Sequence, residues 1–96
     1  MIRSFANTLM QTELVWNGKR SRYLPPDIQK RGLIKLLMID AAISLEDLKS
    51  PPSNGLHILK DDRRGQHAIS INKKYRICFV WKDGDAYDVE IIDYHK

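Results

Sequence analysis

The amino-acid order predicts one α+β domain, with N-terminal helices packed on a small antiparallel β-sheet. Three observations predict it. The chain has 96 residues, enough for one hydrophobic core and too few for a second. Apolar residues in the first half recur at helical spacing between proline and glycine punctuation. The second half holds short runs rich in β-branched and aromatic residues, separated by turn-forming segments, which is the pattern of consecutive antiparallel strands.

Residues 2–5 alternate apolar and polar side chains and predict a first strand. Residues 8–16 place Leu9, Thr12 or Glu13, and Trp16 at helical spacing, and Asn17-Gly18 ends that helix. A longer helix is expected over residues 27–42. Pro25-Pro26 suits its first turn, Asp27 suits its positive N-terminus, and no proline interrupts it. Ile28, Leu33, Leu36, Leu37, Ile39 and Ala42 are its expected buried stripe. Ser44 with Asp47 three residues on predicts a short capped turn, and Pro51-Pro52 with Asn54-Gly55 closes the helical half. Strands are expected over residues 56–59, 68–71, 75–81 and 86–92, with Asp83-Gly84 as the turn of the last hairpin. One sheet face is then covered by helices, and the other is available to a ligand. Trp16 and Trp81 read as core or interface aromatics.

Composition excludes several classes. The lone Cys78 cannot form an internal disulfide and lies in an apolar run, so a disulfide scaffold or cysteine-rich zinc site is excluded. No apolar stretch approaches the ~20 residues of a membrane span, and residues 1–5 do not open a secretory leader, so the expected location is the cytoplasm. No P-loop, dinucleotide fingerprint, His-Glu-x-x-His motif or nucleophile elbow is present. Neither a cofactor nor a metal is therefore expected. The 16 Lys and Arg against 12 Asp and Glu give a net charge of +4, but its distribution says more. Residues 25–56 are neutral. Residues 57–82 carry Lys60, Arg63, Arg64, Lys73, Lys74, Arg76 and Lys82 against Asp61 and Asp62, and residues 83–96 reverse the sign.

The strand half thus collects His57, Lys60, Arg63, Arg64, His67, Arg76, Asp93, Tyr94 and His95. Histidine exchanges protons near neutral pH, Lys and Arg stabilise phosphate charge, and Asp or Tyr can orient or relay a proton. These are the kinds of group that cleaving RNA without a metal needs, though spacing alone does not bring them together: a base takes the 2′-hydroxyl proton, cations stabilise the phosphorane, and an acid protonates the departing 5′-oxygen. Arg76 lies on the strand face opposite Tyr75 and Ile77. It reads either as a cross-strand ion pair with Asp88 or Glu90 or as a phosphate contact.

The run 56–65 (LHILKDDRRG), the segment 70–79 (SINKKYRICF) and the ending Asp93-Tyr94-His95 resemble the HigB toxins, the plasmid-maintenance killer branch of the RelE superfamily of toxin–antitoxin systems. The similarity covers nearly the whole chain, residues 1–96, as one domain. It implies a RelE-like fold and a ribosome-dependent mRNA endonuclease acting in the A site of the small ribosomal subunit. It also implies a HigA-type helix-turn-helix antitoxin, with a heterotetramer of two toxins and two antitoxins as the expected complex. Carried over by position, His57, Arg76, Asp93, Tyr94 and His95 are the expected catalytic set, with Asp93 or His95 and His57 moving protons and Tyr94 positioning or stacking on a base. Lys60, Arg63, Arg64, Lys73 and Lys74 are the expected RNA and phosphate contacts. Asp61 stands where the family often has glycine, and His67 where an aromatic such as Trp is common. Two other readings fit the same residues: a ParE-like toxin that binds gyrase, and a non-catalytic RNA-binding module. Neither needs the terminal His95.

Overall fold

In the computed structural model, residues 1–6 and 11–93 are described. Helix α1 (Thr12–Trp16) and helix α2 (Pro26–Ala41) precede strands β1 (His57–Ile58), β2 (His67–Ser70), β3 (Tyr75–Lys82) and β4 (Asp85–Asp93). The strands pair antiparallel in the order β1-β2-β3-β4, as a run of local hairpins dictates. Of the helix expected over residues 8–16, Thr8 and Leu9 lie outside the described residues.

Helix α2 starts at Pro26, whose missing N–H costs nothing in a first turn. It buries Ile28, Gly32, Leu36 and Ile39, a stripe narrower than the one expected. Leu37, expected inside, is 52% exposed, because a stripe advancing by four, four and three residues turns position 37 outward. Gly32 faces the sheet, and a Cβ there would lie 3.4 Å from the δ-methyls of Ile71 and Ile91, at the edge of ordinary contact. Beyond α2, the Asp47 carboxylate accepts the N–H groups of Ile43 and Ser44 at 2.9 and 3.3 Å, capping the short 3-10 turn Leu45–Lys49.

Asp83 and Gly84 both have positive φ, 52° and 81°, the backbone of a type I′ hairpin turn. Farther along, β4 carries one residue more than β3: Cys78 pairs with Glu90, but Val80 pairs with Tyr87. The extra residue is Asp88, at φ 52°, a β-bulge. Strict alternation would turn Ala86 away from Val89 and Ile91. The bulge changes the parity, so all three face the helices and are fully buried. Residues 2–5, expected as a strand, run extended and parallel to β4, bridging at Ile2–Ala86 and Phe5–Val89. Ser4 Oγ accepts the bulge N–H of Asp88 at 2.9 Å, and Thr12 Oγ1 accepts that of Ile91 at 2.8 Å. The outer edge of β4 is thereby closed.

Register fixes which residues share a face. Ile69, Ile77, Phe79, Val89 and Ile91 pack under the helices. On the outer face His57, Ala68, Cys78 and Glu90 form one row across the sheet, and Ser70, Arg76 and Ile92 form the next. This face is not wholly open to a ligand as expected. Ala68 and Cys78 are fully buried and Glu90 nearly so, because the β1–β2 connection, with its 3-10 turn Asp61–Arg63, folds over them.

Candidate active site

His57 and Lys60 open into one cleft of about 500 Å³ on the outer face, bordered by Leu59, Asp62, Arg63 and Ile92. His57 Nδ1 lies 2.8 Å from the carbonyl oxygen of Gly55. A carbonyl only accepts, so Nδ1 donates here, which in the neutral ring leaves Nε2 as the accepting nitrogen. The turn that makes this contact comes from sequence: Gly55 closes the 3-10 turn Pro52–Asn54 at φ 57°, a conformation that favours glycine.

Arg76 faces a second cleft of about 370 Å³, with Arg31 and Lys35 from α2 and Lys73 from the β2–β3 turn. Arg31 Nη2 donates to the Ile71 carbonyl at 2.9 Å. Lys35 Nζ donates to Asn54 Oδ1 at 2.5 Å. Asn54 is itself fully buried and donates to the carbonyls of Leu48 and Ser50 at 3.1 and 3.3 Å. Burial and then the charge of Arg31 hold the Lys35 ammonium below its ordinary pKa. Arg76 pairs across the strands with Ile92, and Ile92 borders the His57 cleft, so the two clefts adjoin across that pair. From strand and residue spacings, the His57 and Arg76 Cα atoms are roughly 12 Å apart.

Arg63 behaves differently from its neighbours. Its Nη1 donates to Glu90 Oε1 at 2.5 Å and to Gln66 at 3.2 Å. Burial works against the guanidinium charge, but the Glu90 hydrogen bond and charge outweigh it and raise the Arg63 pKa. β1 and β4 stand about 14 Å apart, so the connection must lean across the sheet for this bond to form. Beneath it burial pushes the Cys78 thiol up to about 11. Arg64 is exposed on the same turn. The Lys74 ammonium lies 3.8 Å from Asp93 Oδ2 and 5.5 Å from the centre of the Tyr75 ring. Asp93 pairs with Tyr75, one position past the Arg76–Ile92 pair and on the alternate face. Tyr94 and His95 lie outside the described residues. His67 stacks on Phe79 at 6.2 Å, with its buried Nδ1 unpartnered. Burial, then the neighbouring His57, lowers its pKa.

The structure thus gathers His57, Lys60 and Arg63 at one cleft, Arg76 and Lys73 at the adjoining one, and sets Lys74 and Asp93 at the end of the β3–β4 pair. Among the described residues, no three His, Cys, Asp or Glu side chains are grouped to hold a metal, and no helix is long and apolar enough to cross a membrane. The family model of the RelE-like toxin of the type II toxin–antitoxin system HigB matches residues 3–95. The chain belongs to the HigB-like toxins. It is 38% identical over 80 residues to Toxin HigB-1 of Vibrio cholerae, covering 83% of either chain. It is also 38% identical over 61 residues to Endoribonuclease HigB of Proteus vulgaris, covering 64% of this chain and 65% of that one. The crystal structure of YafQ from E. coli superposes with a TM-score of 0.59 at 14% identity, over 98% of this chain and 92% of that one. That likeness bears on fold alone, which is RelE-like.

As a HigB-like toxin the protein has an antitoxin partner. Two cations in its second cleft, Arg31 and Lys35, escaped the sequence reading, because residues 25–56 are neutral in sum. Their signal was spacing: like charges at i and i+4 share one helix face, and here that face borders the strand cations.

Proposed function

We propose that this HigB-like toxin is an endoribonuclease that cleaves mRNA in the ribosomal A site by metal-free acid–base chemistry and so inhibits translation. The observation that carries the reading is the oriented imidazole of His57, its Nδ1–H held by Gly55, in the cleft that also holds Lys60. His57 Nε2 takes the proton of the ribose 2′-hydroxyl, whose oxygen attacks the adjacent phosphorus. Arg76 and Lys60 stabilise the charge that builds on the non-bridging oxygens. The 5′-oxygen leaves with a proton from His95 or Asp93, giving a 2′,3′-cyclic phosphate and a 5′-hydroxyl. Tyr94 positions or stacks on a base. The name of the Proteus vulgaris relative, an endoribonuclease, supports this assignment.

A HigA-type helix-turn-helix antitoxin neutralises the toxin, in a complex of two copies of each, and the site of action is the cytoplasm, where ribosomes are. The test is induced expression with mapping of new mRNA 5′ ends, beside translation extracts with and without ribosomes and a gyrase supercoiling assay. Wild type is expected to arrest growth and to cut mRNA only when ribosomes are present. His57→Ala, Asp93→Ala and His95→Ala relieve the arrest and abolish the cuts. Undiminished cutting in all three variants, or inhibited supercoiling with intact mRNA, refutes the assignment.

A further inference from the structure

The second cleft gathers four cations from three separate elements. Arg31, Lys35, Lys73 and Arg76 converge on about 370 Å³ from a helix, a turn and a strand, and among the described residues no carboxylate lines the space. Two of these cations are held in place by neutral acceptors: Arg31 by the Ile71 carbonyl and Lys35 by Asn54 Oδ1. Neither contact neutralises charge. The Lys35 ammonium is already disfavoured by burial and by Arg31, so like charges are crowded where an anion would relieve them. Ser53 and Ser70 add hydroxyls to the lining. A fixed fork from Arg31 beside the point charge of Lys35 matches a phosphate group in both geometry and charge. The cleft also adjoins the proposed cleavage site, because Arg76 borders one space and its cross-strand partner Ile92 borders the other.

We propose that Arg31, Lys35 and Lys73 form an RNA phosphate-binding subsite that holds a backbone phosphodiester neighbouring the one gripped by Arg76. The inference rests on the cleavage reading for the direction of the strand, but the binding itself needs no cleavage. The phosphodiester belongs either to the message or to ribosomal RNA, and the test separates these sources. A fluorescent 12-nucleotide 2′-O-methyl RNA, which supplies no attacking hydroxyl, is titrated by anisotropy across a salt series. Vacant ribosomes are assayed in parallel by co-sedimentation.

Each phosphate contact on a single strand adds about 0.7 to the slope of log affinity against log salt, or about fivefold in affinity at 100 mM. The three cations hold one phosphodiester, so Arg31→Gln with Lys35→Gln is expected to weaken binding about fivefold and to flatten the slope by about 0.7. Lys73→Gln, in an exposed turn where folding is safe, loses part of that same fivefold, and Lys35→Arg retains binding. Lys19→Gln with Lys30→Gln removes the same charge from the space between α1 and α2 and costs less than twofold, because neither side chain borders the second cleft. Loss confined to the oligonucleotide assigns the phosphate to message, and loss confined to ribosomes assigns it to ribosomal RNA; both support the subsite. Equal losses from the two double variants, or unchanged binding for Lys73→Gln in both assays, overturn it. Wild-type protein that binds as described yet never cuts mRNA refutes the nuclease reading and leaves the subsite standing.

Discussion

Removing the Arg63 guanidinium would leave Glu90 as a carboxylate facing the interior of the outer surface without its charge partner. The Glu90 side chain is 9% exposed and that of Arg63 35%, so the pair is buried at one end and wetted at the other. Breaking a fully buried pair costs about 3–5 kcal/mol. With the guanidinium end partly solvated, Arg63→Ala is expected to cost about 2–3 kcal/mol, which in a domain of this size lowers Tm by about 10–20 °C. Arg63→Met combined with Glu90→Leu replaces both charges by apolar volume and recovers most of the loss. The pair also pins the β1–β2 connection over Cys78, which is fully buried and whose thiol is pushed up to about 11. Wild type is therefore inert to a thiol reagent at pH 8, whereas Arg63→Ala reacts at a rate set by opening of the connection. Urea melts and thiol labelling measure the two effects. A loss under about 0.5 kcal/mol, or a Cys78 that stays inert in Arg63→Ala, would show that the contact is an ordinary surface pair.

Arg64→Ala, by contrast, is expected to leave stability unchanged within about 0.5 kcal/mol while flattening the salt dependence of RNA binding, read by the same anisotropy titration. His67 supplies a pH test. Its folded-state pKa is lowered by burial and then by His57, so on acidification the unfolded chain takes the proton first. Its stabilising contribution is full above the unfolded value near 6.5 and is lost as pH falls below it. His67→Phe keeps a ring against Phe79 and removes the unpartnered Nδ1. It is expected to gain about 1 kcal/mol and to lose less stability than wild type between pH 7.5 and 5.5 in urea melts; an identical pH slope excludes His67 as the cause. Asn54→Ala strands the Leu48 and Ser50 carbonyls and frees Lys35. A loss of about 2 kcal/mol follows, seen as a Tm drop of about 10 °C, together with weaker binding in the 2′-O-methyl RNA titration.

Local signals carried the hairpins and α2. Asp83-Gly84 and the proline start of α2 determine backbone shape within a few residues, so both were legible. Asp88 was not, because no local rule places a non-glycine residue at φ 52° in mid-strand; the bulge follows from Ala86, Val89 and Ile91 all needing the core. The cover over Cys78 was equally hidden, since it depends on a contact between residues 27 positions apart. At the site, His57 and Lys60 are close neighbours in sequence and were found together. Arg63 was grouped with the RNA contacts on charge alone, and only the fold shows that Glu90 holds it. The ion pair considered for Arg76 with Glu90 meets the same fact: Glu90 accepts from Arg63, and register sets Ile92 opposite Arg76.

The two faces of the sheet separate folding from chemistry, with one consequence for how the toxin tolerates change. The core is assembled on the helix face, so His57, Lys60 and Lys73 can be replaced with little loss of stability. Arg31 and Lys35 are different, because their bonds to Ile71 and Asn54 tie the basic cleft to buried backbone and to a buried side chain. Substitutions beneath that cleft will therefore weaken folding and RNA binding together, whereas substitutions of His57 and Lys60 will separate them. A scan in which Asn54 and Lys60 variants show the same ratio of binding loss to stability loss would contradict this division.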